Sequence, residues 1–341
     1  MHLLKALFAL TAATALTACG GGGGDASAPA PVPAPGPAVG TNGTLQTGVA
    51  AATYADSRRV DAFNQLNAVR LGAGAGLLAQ SAALDASASD HASYLTQNGF
   101  NSAASAHDET AGLPGFTDTN AFLRMKDQGY NYIYATEVIG DIGSTSATSD
   151  CVGDLLDTVY HAASMLSRVT DVGIAFGTGS AAGMCTIDMA SPLAGGASRQ
   201  IPPSGAVVAY PYGGSTVAHG TFHVSAESPR VSTTLLPGAN AGTPVLVGFR
   251  NQDLVAGGTV TITQFSIATI DGAAVPAVIV ADPVIAGSGL NGDTEPAMTD
   301  FAALVPTSPL AAGTYRVTLK ATISGGQALN LTSWTFTVAS L

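Results

Sequence analysis

Residues 149–166 read SDCVGDLLDTVYHAASML, and the reading of the first half of the chain follows from that stretch. Val152, Leu155, Leu156, Val159, Ala163 and Leu166 recur at three- and four-residue steps, the spacing that gathers apolar side chains into one buried stripe. Asp154, Asp157 and His161 fall on the other side. Ser149 or Asp150 is suited to cap the first turn, and Asp154 lies near enough to the N-terminus to suit the dipole. The spacing predicts one helix over 149–166 carrying an ionisable ring, His161, that looks either into solvent or into a cleft.

The chain has 341 residues, long enough for two domains of roughly 100 to 200 residues each. Charged residues make up 10% and the formal net charge is -11. A phosphate-tracking surface needs a concentration of Lys and Arg that is missing here, which argues against nucleic-acid binding. Low charge with abundant Gly, Ser, Thr and Ala fits an exported protein.

The start of the chain agrees. Met1 to Lys5 is a short basic opening, Ala6 to Ala15 is apolar, and Leu16-Thr17-Ala18-Cys19 closes the segment. A run that short does not span a bilayer, so residues 1–19 read as a secretory signal. Its end resembles the lipobox of bacterial lipoproteins, in which cleavage leaves a diacylated cysteine; ordinary cleavage near the same place is the alternative. Gly20, where an aspartate would favour the inner membrane, points by that analogy to the outer membrane of a Gram-negative cell. Acyl chains in that number suffice for stable anchoring.

Residues 20–53 begin with five glycines and continue in Pro-Ala alternation, a composition with nothing to bury that reads as an extended spacer. No lysine follows the glycines as a phosphate loop would need. Of three cysteines, Cys19 is the expected lipidation site, which leaves Cys151 and Cys185 as a pair in an oxidising compartment. A disulfide between them ties the His161 helix to a later strand; the alternative is two buried thiols.

Residues 54–192 carry helical patterns at 56–71, 77–98, 119–128 (capped by Asp118 or Thr117) and 149–166, then a β-hairpin of Val172–Phe176 and Met184–Met189. Residues 200–341 change texture. Short alternating runs at 206–210, 221–224, 244–249, 259–267, 275–280, 314–323 and 333–338 predict an antiparallel β-sandwich of immunoglobulin or fibronectin type, with Trp334 in its core. His219 and His223 share one side of a strand at best and make a poor metal site.

Three residues stand out by context: His107 in Ser105-Ala106-His107-Asp108, Glu137 in Tyr134-Ala135-Thr136-Glu137-Val138-Ile139, and His161 in Thr158-Val159-Tyr160-His161-Ala162. The ordered set of such pieces resembles the CAP superfamily, also called SCP-like: cysteine-rich secretory proteins, antigen 5 and plant pathogenesis-related proteins of group 1, in its bacterial secreted branch. The similarity rests on Asn67-Ala68-Val69-Arg70, Ser89-Asp90-His91-Ala92, His107 after an Asn98-Gly99 stop, Gly129-Tyr130 before Glu137-Val138-Ile139, Thr158 to Leu166, and Asp171 to Ala175. It covers about residues 56–191.

The resemblance implies an α-β-α sandwich with a three- or four-stranded antiparallel sheet, followed here by the all-β half. It also implies a cleft in which His107, Glu137 and His161 occupy three of four positions. The fourth, a glutamate in the eukaryotic relatives, aligns with Thr158; Asp157 is adjacent but rotated by about 100°. Ala162 replaces the usual arginine.

Two neutral imidazoles and one carboxylate suit a divalent metal such as zinc with water in an open position. A Glu-His pair equally suits general acid-base work, and the same groups can simply hold loops together. His91 lies on the apolar stripe of its helix and reads as a satisfied core histidine. No G-x-S-x-G, H-E-x-x-H or Cys-His arrangement is present. The first expectation for function is an envelope protein binding lipid, sterol, peptide or a cell-wall component. A metal-dependent hydrolase acting through His107, Glu137 and His161 is the second, and structural display the third.

Overall fold

The computed structural model describes residues 44–100, 102–103, 105–141, 150–179, 182, 184–193, 199–250, 259–324 and 328–340, all within one compact unit. The signal-like segment 1–19 with Cys19, the first part of the expected spacer and Ser149 lie outside these residues. The described part of the spacer, residues 44–53, belongs to the folded body. Thr44 bridges Ile201, and the Gln46 amide donates to the carbonyls of Leu77 and Thr170. Among the described residues no helix is long and apolar enough to cross a membrane.

A four-stranded sheet organises the first half in the order β1 (Ala79–Gln80), β3 (Asp171–Phe176), β4 (Met184–Pro192), β2 (Tyr132–Asp141). β3 and β4 form the expected hairpin, β2 pairs antiparallel with β4, and β1 runs parallel to β3. Helix α1 (Ser57–Ala73) opens where Asp56 accepts the Arg58 N–H and ends at Gly74, whose φ of 81° favours glycine. Helix α2 (Ala82–Asn98) is capped by Ser81 and buries Leu84, Ala88, His91, Ala92 and Leu95. It starts later than the pattern from residue 77 predicts, because Ala79 and Gln80 are drawn into the sheet.

Helix α3 (Ala121–Asp127) is capped by Asn120, whose Oδ1 accepts the Leu123 N–H at 3.1 Å; Asp118 bonds Thr119 instead, which corrects the expected cap. One face of the sheet packs Ile139, Ala175, Met184 and Ala190 against α2 and α3, and the other packs Val138, Val172, Ile174 and Ile187 against α1 and the helices around residue 160. The result is the three-layer α-β-α arrangement. Gly173 is required in β3: a Cβ there would lie 2.1 Å from the Leu84 carbonyl carbon, so the α2 backbone rests directly on the strand.

The single helix expected over 149–166 is two, α4 (Cys151–Leu156) and α5 (Tyr160–Met165), broken at Asp157–Val159. The apolar stripe survives because Val152, Leu155, Leu156, Val159, Ala163 and Leu166 all stay buried. Asp150 occupies the N-cap of α4 without a cap bond and accepts from the Gln65 amide. Asp157, expected on a polar face, is 7% exposed. Burial first, then the Asp154 and Asp150 charges, push its carboxyl up to about 8. A disulfide joins Cys151 at the start of α4 to Cys185 on β4.

The second half holds two five-stranded sheets. One runs β12 (Ala286–Gly287), β10 (Val260–Thr269), β15 (Gly313–Ile323), β16 (Ser333–Val338), β6 (Thr216–Val217); the other runs β13 (Leu290–Gly292), β11 (Ala277–Ala281), β14 (Phe301–Pro306), β9 (Val245–Gly248), β5 (Val208–Tyr210). A separate pair, β7 (Thr221–His223) and β8 (Asn240–Gly242), lies beside them. Trp334 is buried and donates from its indole N–H to the Pro211 carbonyl at 2.8 Å. The two halves share one apolar core and several polar clasps. Arg168 pairs with Asp300 at 2.6 Å in a buried setting, and the Tyr160 hydroxyl donates to Asp293 at 2.8 Å.

Two outcomes test this account. The double variant Cys151→Ser/Cys185→Ser, measured by chemical denaturation, should lose about 3 to 4 kcal/mol, the chain-entropy value for a loop of this length. The folded-state value of Asp157, about 8, lies above its ordinary 3.8, so the stability its proton brings is full below 3.8 and lost as pH rises through 8. Asp157→Asn should therefore stabilise the protein, and by more at pH 8 than at pH 5.

Candidate functional site

Three neighbouring segments bring the predicted residues together. Glu137 sits mid-strand on β2, opposite Asp188 of β4, with 2% of its side chain exposed. His107 follows α2 in the loop that returns to α3, and its Nδ1 lies 2.9 Å from Glu137 Oε1. His161 lies in the first turn of α5. The charge on His107 works against a proton on His161, so the two rings lie within electrostatic reach of each other. The ring of His107 is 32% exposed and that of His161 13%.

Behind His107 stands a buried chain of charges. Arg124 on α3 donates to Glu137 Oε2 at 2.9 Å and Oε1 at 3.2 Å, and to the His107 carbonyl from both terminal nitrogens at 3.1 Å. Its Nε lies 3.8 Å from Glu109 Oε1. Glu109 in turn holds His91, whose Nδ1 is 2.9 Å away, and accepts the Thr117 N–H at 2.7 Å. The second nitrogen of His91 meets the Ala106 carbonyl at 2.8 Å. His91 is thus the satisfied core histidine its position on the stripe suggests.

Burial raises the Glu137 carboxyl, but His91, the bond from His107 and the Arg124 charge outweigh it and hold Glu137 well below the carboxylate range. Glu137 is therefore ionised, and the His107 Nδ1 carries a hydrogen that it donates. Burial works against a charged His107, yet the bond and charge of Glu137 prevail and raise it. Asp188 is fully buried beside Glu137; burial and that neighbouring charge push its carboxyl well above the ordinary value.

His161 has the opposite setting. The Thr158 hydroxyl donates to the Leu155 carbonyl at 2.7 Å, so at its 3.0 Å contact with His161 Nδ1 it accepts. His161 is then the Nδ1–H tautomer, assigned from the network. Burial, then the His107 charge, push its ring down to about 4, so it is neutral at pH 7. A carboxylate from the second half also approaches: Glu227 Oε1 lies 3.6 Å from His161 Nδ1, and burial pushes that carboxyl up to about 7. Both imidazoles therefore spend Nδ1 on the protein; the neutral ring of His161 keeps Nε2 as a lone-pair acceptor, while Glu137 strengthens the hold of His107 on a proton.

Among the described residues no group of three or more His, Cys, Asp or Glu side chains is placed to hold a metal ion. Glu137, an expected ligand, has both oxygens engaged by Arg124 and His107. The residues present do not fit a three-ligand zinc site. His219 and His223 lie apart from the cleft, His223 on Asn240 and His219 3.9 Å from Asp154. Two cavities, of about 250 Å³ beside Arg58 and Phe176 and about 150 Å³ beside Asp157 and Tyr212, are not lined by His107 or His161.

Sequence reasoning missed Arg124, Glu109, Asp188 and Glu227. For Arg124 a signal existed: Ala121, Arg124 and Met125 share the buried face of α3. Asp188 likewise interrupts a buried strand. Glu227 has no such signal, since its partners are 66 and 67 residues away.

Residues 63–189 match the model of the family described as CAP: Cysteine-rich secretory protein family. No curated protein matches the chain. Among solved structures it is similar to PcoC, a methionine-rich copper resistance protein from Escherichia coli, at 19% identity over 38% of this chain and 93% of that one, with a TM-score of 0.22. The selenomethionine form of PcoC gives 19%, 38%, 95% and 0.21. Likeness at that level carries no argument about this chain.

The charge chain makes a direct prediction. Arg124→Ala strands two buried carboxylates and should cost about 3 to 5 kcal/mol in denaturant unfolding, the usual penalty for removing one partner of a buried pair. Arg124→Met combined with Glu137→Gln should recover a clear part of that loss. Equal losses in the two proteins would mean that the pair does not set the stability.

Proposed function

We propose that this chain, which carries a domain of the cysteine-rich secretory protein (CAP) family at residues 63–189, is an exported envelope lipoprotein that binds a lipid, peptide or cell-wall component in the cleft between His107 and His161. The observation that carries the binding reading is the engagement of Glu137. A carboxylate that accepts from Arg124 and His107 and is 2% exposed has no oxygen left for a nucleophile or an open metal ligand. What the cleft offers a ligand is the Nε2 acceptor of the neutral His161 ring and, on His107, the Nε2 of a ring whose hold on a proton Glu137 strengthens. Hydroxyl groups, which both donate and accept, suit the two, and each such bond contributes on the order of 1 kcal/mol.

Export is supported by the signal-like residues 1–19, and anchoring by Cys19 at the lipobox-like site, with the outer membrane as destination. The Cys151–Cys185 disulfide suits an oxidising compartment. The two five-stranded sheets of the second half read as an immunoglobulin-like sandwich that serves as spacer or adhesive module.

The test is retention of protein purified without chelator on peptidoglycan fragments and on phosphatidylethanolamine/phosphatidylglycerol vesicles, with zinc measured in the same samples. The wild type should be retained by one of these without stoichiometric metal. His107→Ala and His161→Ala should each bind about tenfold more weakly, the loss of one hydrogen bond to a ligand. Retention on neither support overturns the reading. Stoichiometric zinc lost in both variants moves the site to the metal-dependent hydrolase reading.

A further inference from the structure

We infer that Glu227, from the second half of the chain, is a positioning residue of the cleft, and that the cleft is built jointly by the two halves. The inference rests on reading the His107/His161 cleft as the functional site. Glu227 is 1% exposed and follows the turn Val224–Ala226. Its Oε1 accepts the backbone N–H of Tyr160 and, at 3.3 Å, that of His161, and stands 3.6 Å from His161 Nδ1. Helix α5 has no cap of its own: Val159 in the N-cap position has helical dihedrals and makes no side-chain bond. One oxygen from a distant segment thus ends the orphan state of two amides and abuts the ring that the second of them carries.

The neighbouring contacts repeat the theme. Tyr160, beside His161, is clasped by Asp293 at 2.8 Å, and the segment Pro296–Met298 packs on α5. The charge on His107 is felt at Glu295. The second half therefore meets His161 with Glu227, its neighbour Tyr160 with Asp293, and comes within electrostatic reach of His107 with Glu295, while Glu137 backs His107 from within the first half. On the first-half side the ring of His161 rests on Thr158 Oγ1, a hydroxyl that already donates elsewhere and holds the ring by accepting one bond. Removal of Glu227 leaves the α5 amides without an acceptor and takes away the neighbour that keeps Nδ1–H favoured over Nε2–H.

The experiment is imidazole nitrogen NMR on ¹⁵N-histidine-labelled full-length protein at pH 7, which reads the tautomer of each ring and uses no ligand. Its outcome is therefore independent of whether the cleft binds an envelope component. In the wild type His161 should be the Nδ1–H tautomer, and the Nδ1 of His107 should carry the hydrogen it donates to Glu137. Glu227→Gln keeps an acceptor oxygen and should leave both unchanged. Glu227→Ala should lower the Nδ1–H to Nε2–H ratio of His161 by about fivefold, the scale of removing a carboxylate charge at that separation, and leave His107 as it was. Thr158→Glu added to Glu227→Ala returns a carboxylate to the same ring nitrogen and should restore His161.

An unchanged His161 in folded Glu227→Ala overturns the inference, as does a change of both rings together, which would mean general loosening. If Glu227→Ala does not fold, Glu227→Asp, which withdraws the carboxylate by one methylene, carries the same expectation and the same risk.

Discussion

The guanidinium of Arg124 sits between two buried carboxylates, Glu109 and Glu137, each of which holds a histidine. None of these groups would survive burial alone, since an unpaired charge in the interior costs several kcal/mol. Together they satisfy one another, and in doing so fix α2, the loop of His107, α3 and β2 in a single arrangement. The orientation of His107 follows from charge balance deep in the protein, well away from any ligand. Arg70 does the same for the other side of the sheet. Fully buried, it donates to the carbonyls of Gly76, Met165, Ser167 and Ala75, and so pins the end of α5 and the start of the link to β3, together with the turn after α1, to α1 itself.

The two rings of the cleft are tuned in opposite senses. His107 is raised by an ionised carboxylate, and His161 is lowered by burial and by His107 itself. One ring thus holds a proton more readily than free histidine, and the other declines one until strongly acid conditions. In a pair set apart in this way any shared proton rests on His107, and His161 is left as the neutral acceptor. The engagement of Glu137 by Arg124 and His107 is what favours the proposed binding reading over a catalytic one.

Much of this was legible in the residues. The spacing of Phe63, Leu66 and Arg70, and of Leu84, Ala88, His91 and Leu95, gave α1 and α2, and the alternation after Asp171 gave the hairpin. The meeting of His107 with Glu137 followed from resemblance, since nothing local links residues 30 apart. Strand β2 escaped notice because its motif drew attention to Glu137 alone. Strand β14 escaped because Phe301–Pro306 is buried throughout, so it lacks the period of two that marks a half-exposed strand. The break at Asp157–Val159 was invisible for a related reason: the apolar stripe runs across it unbroken, and the acceptor that stabilises the second piece, Glu227, comes from the other half. A pattern within one element does not record what a distant segment does to it.

The absent side chain at Gly173 has a mechanical meaning. At Gly173 the backbone of α2 rests directly on β3 with no side chain between them to slide or yield, and small residues such as Ala88, Ala92 and Ala175 keep the rest of the interface close. Helix and sheet form one stiff plate, to which His107 and Glu137 are fastened through Arg124. Helix α5 is seated just as firmly, with Val159, Ala163, Met165 and Leu166 buried in the core that both halves share and Arg70 bonded to the Met165 carbonyl. The two histidines are thus carried by rigid supports, and the distance between their rings is set by the packing of the whole body.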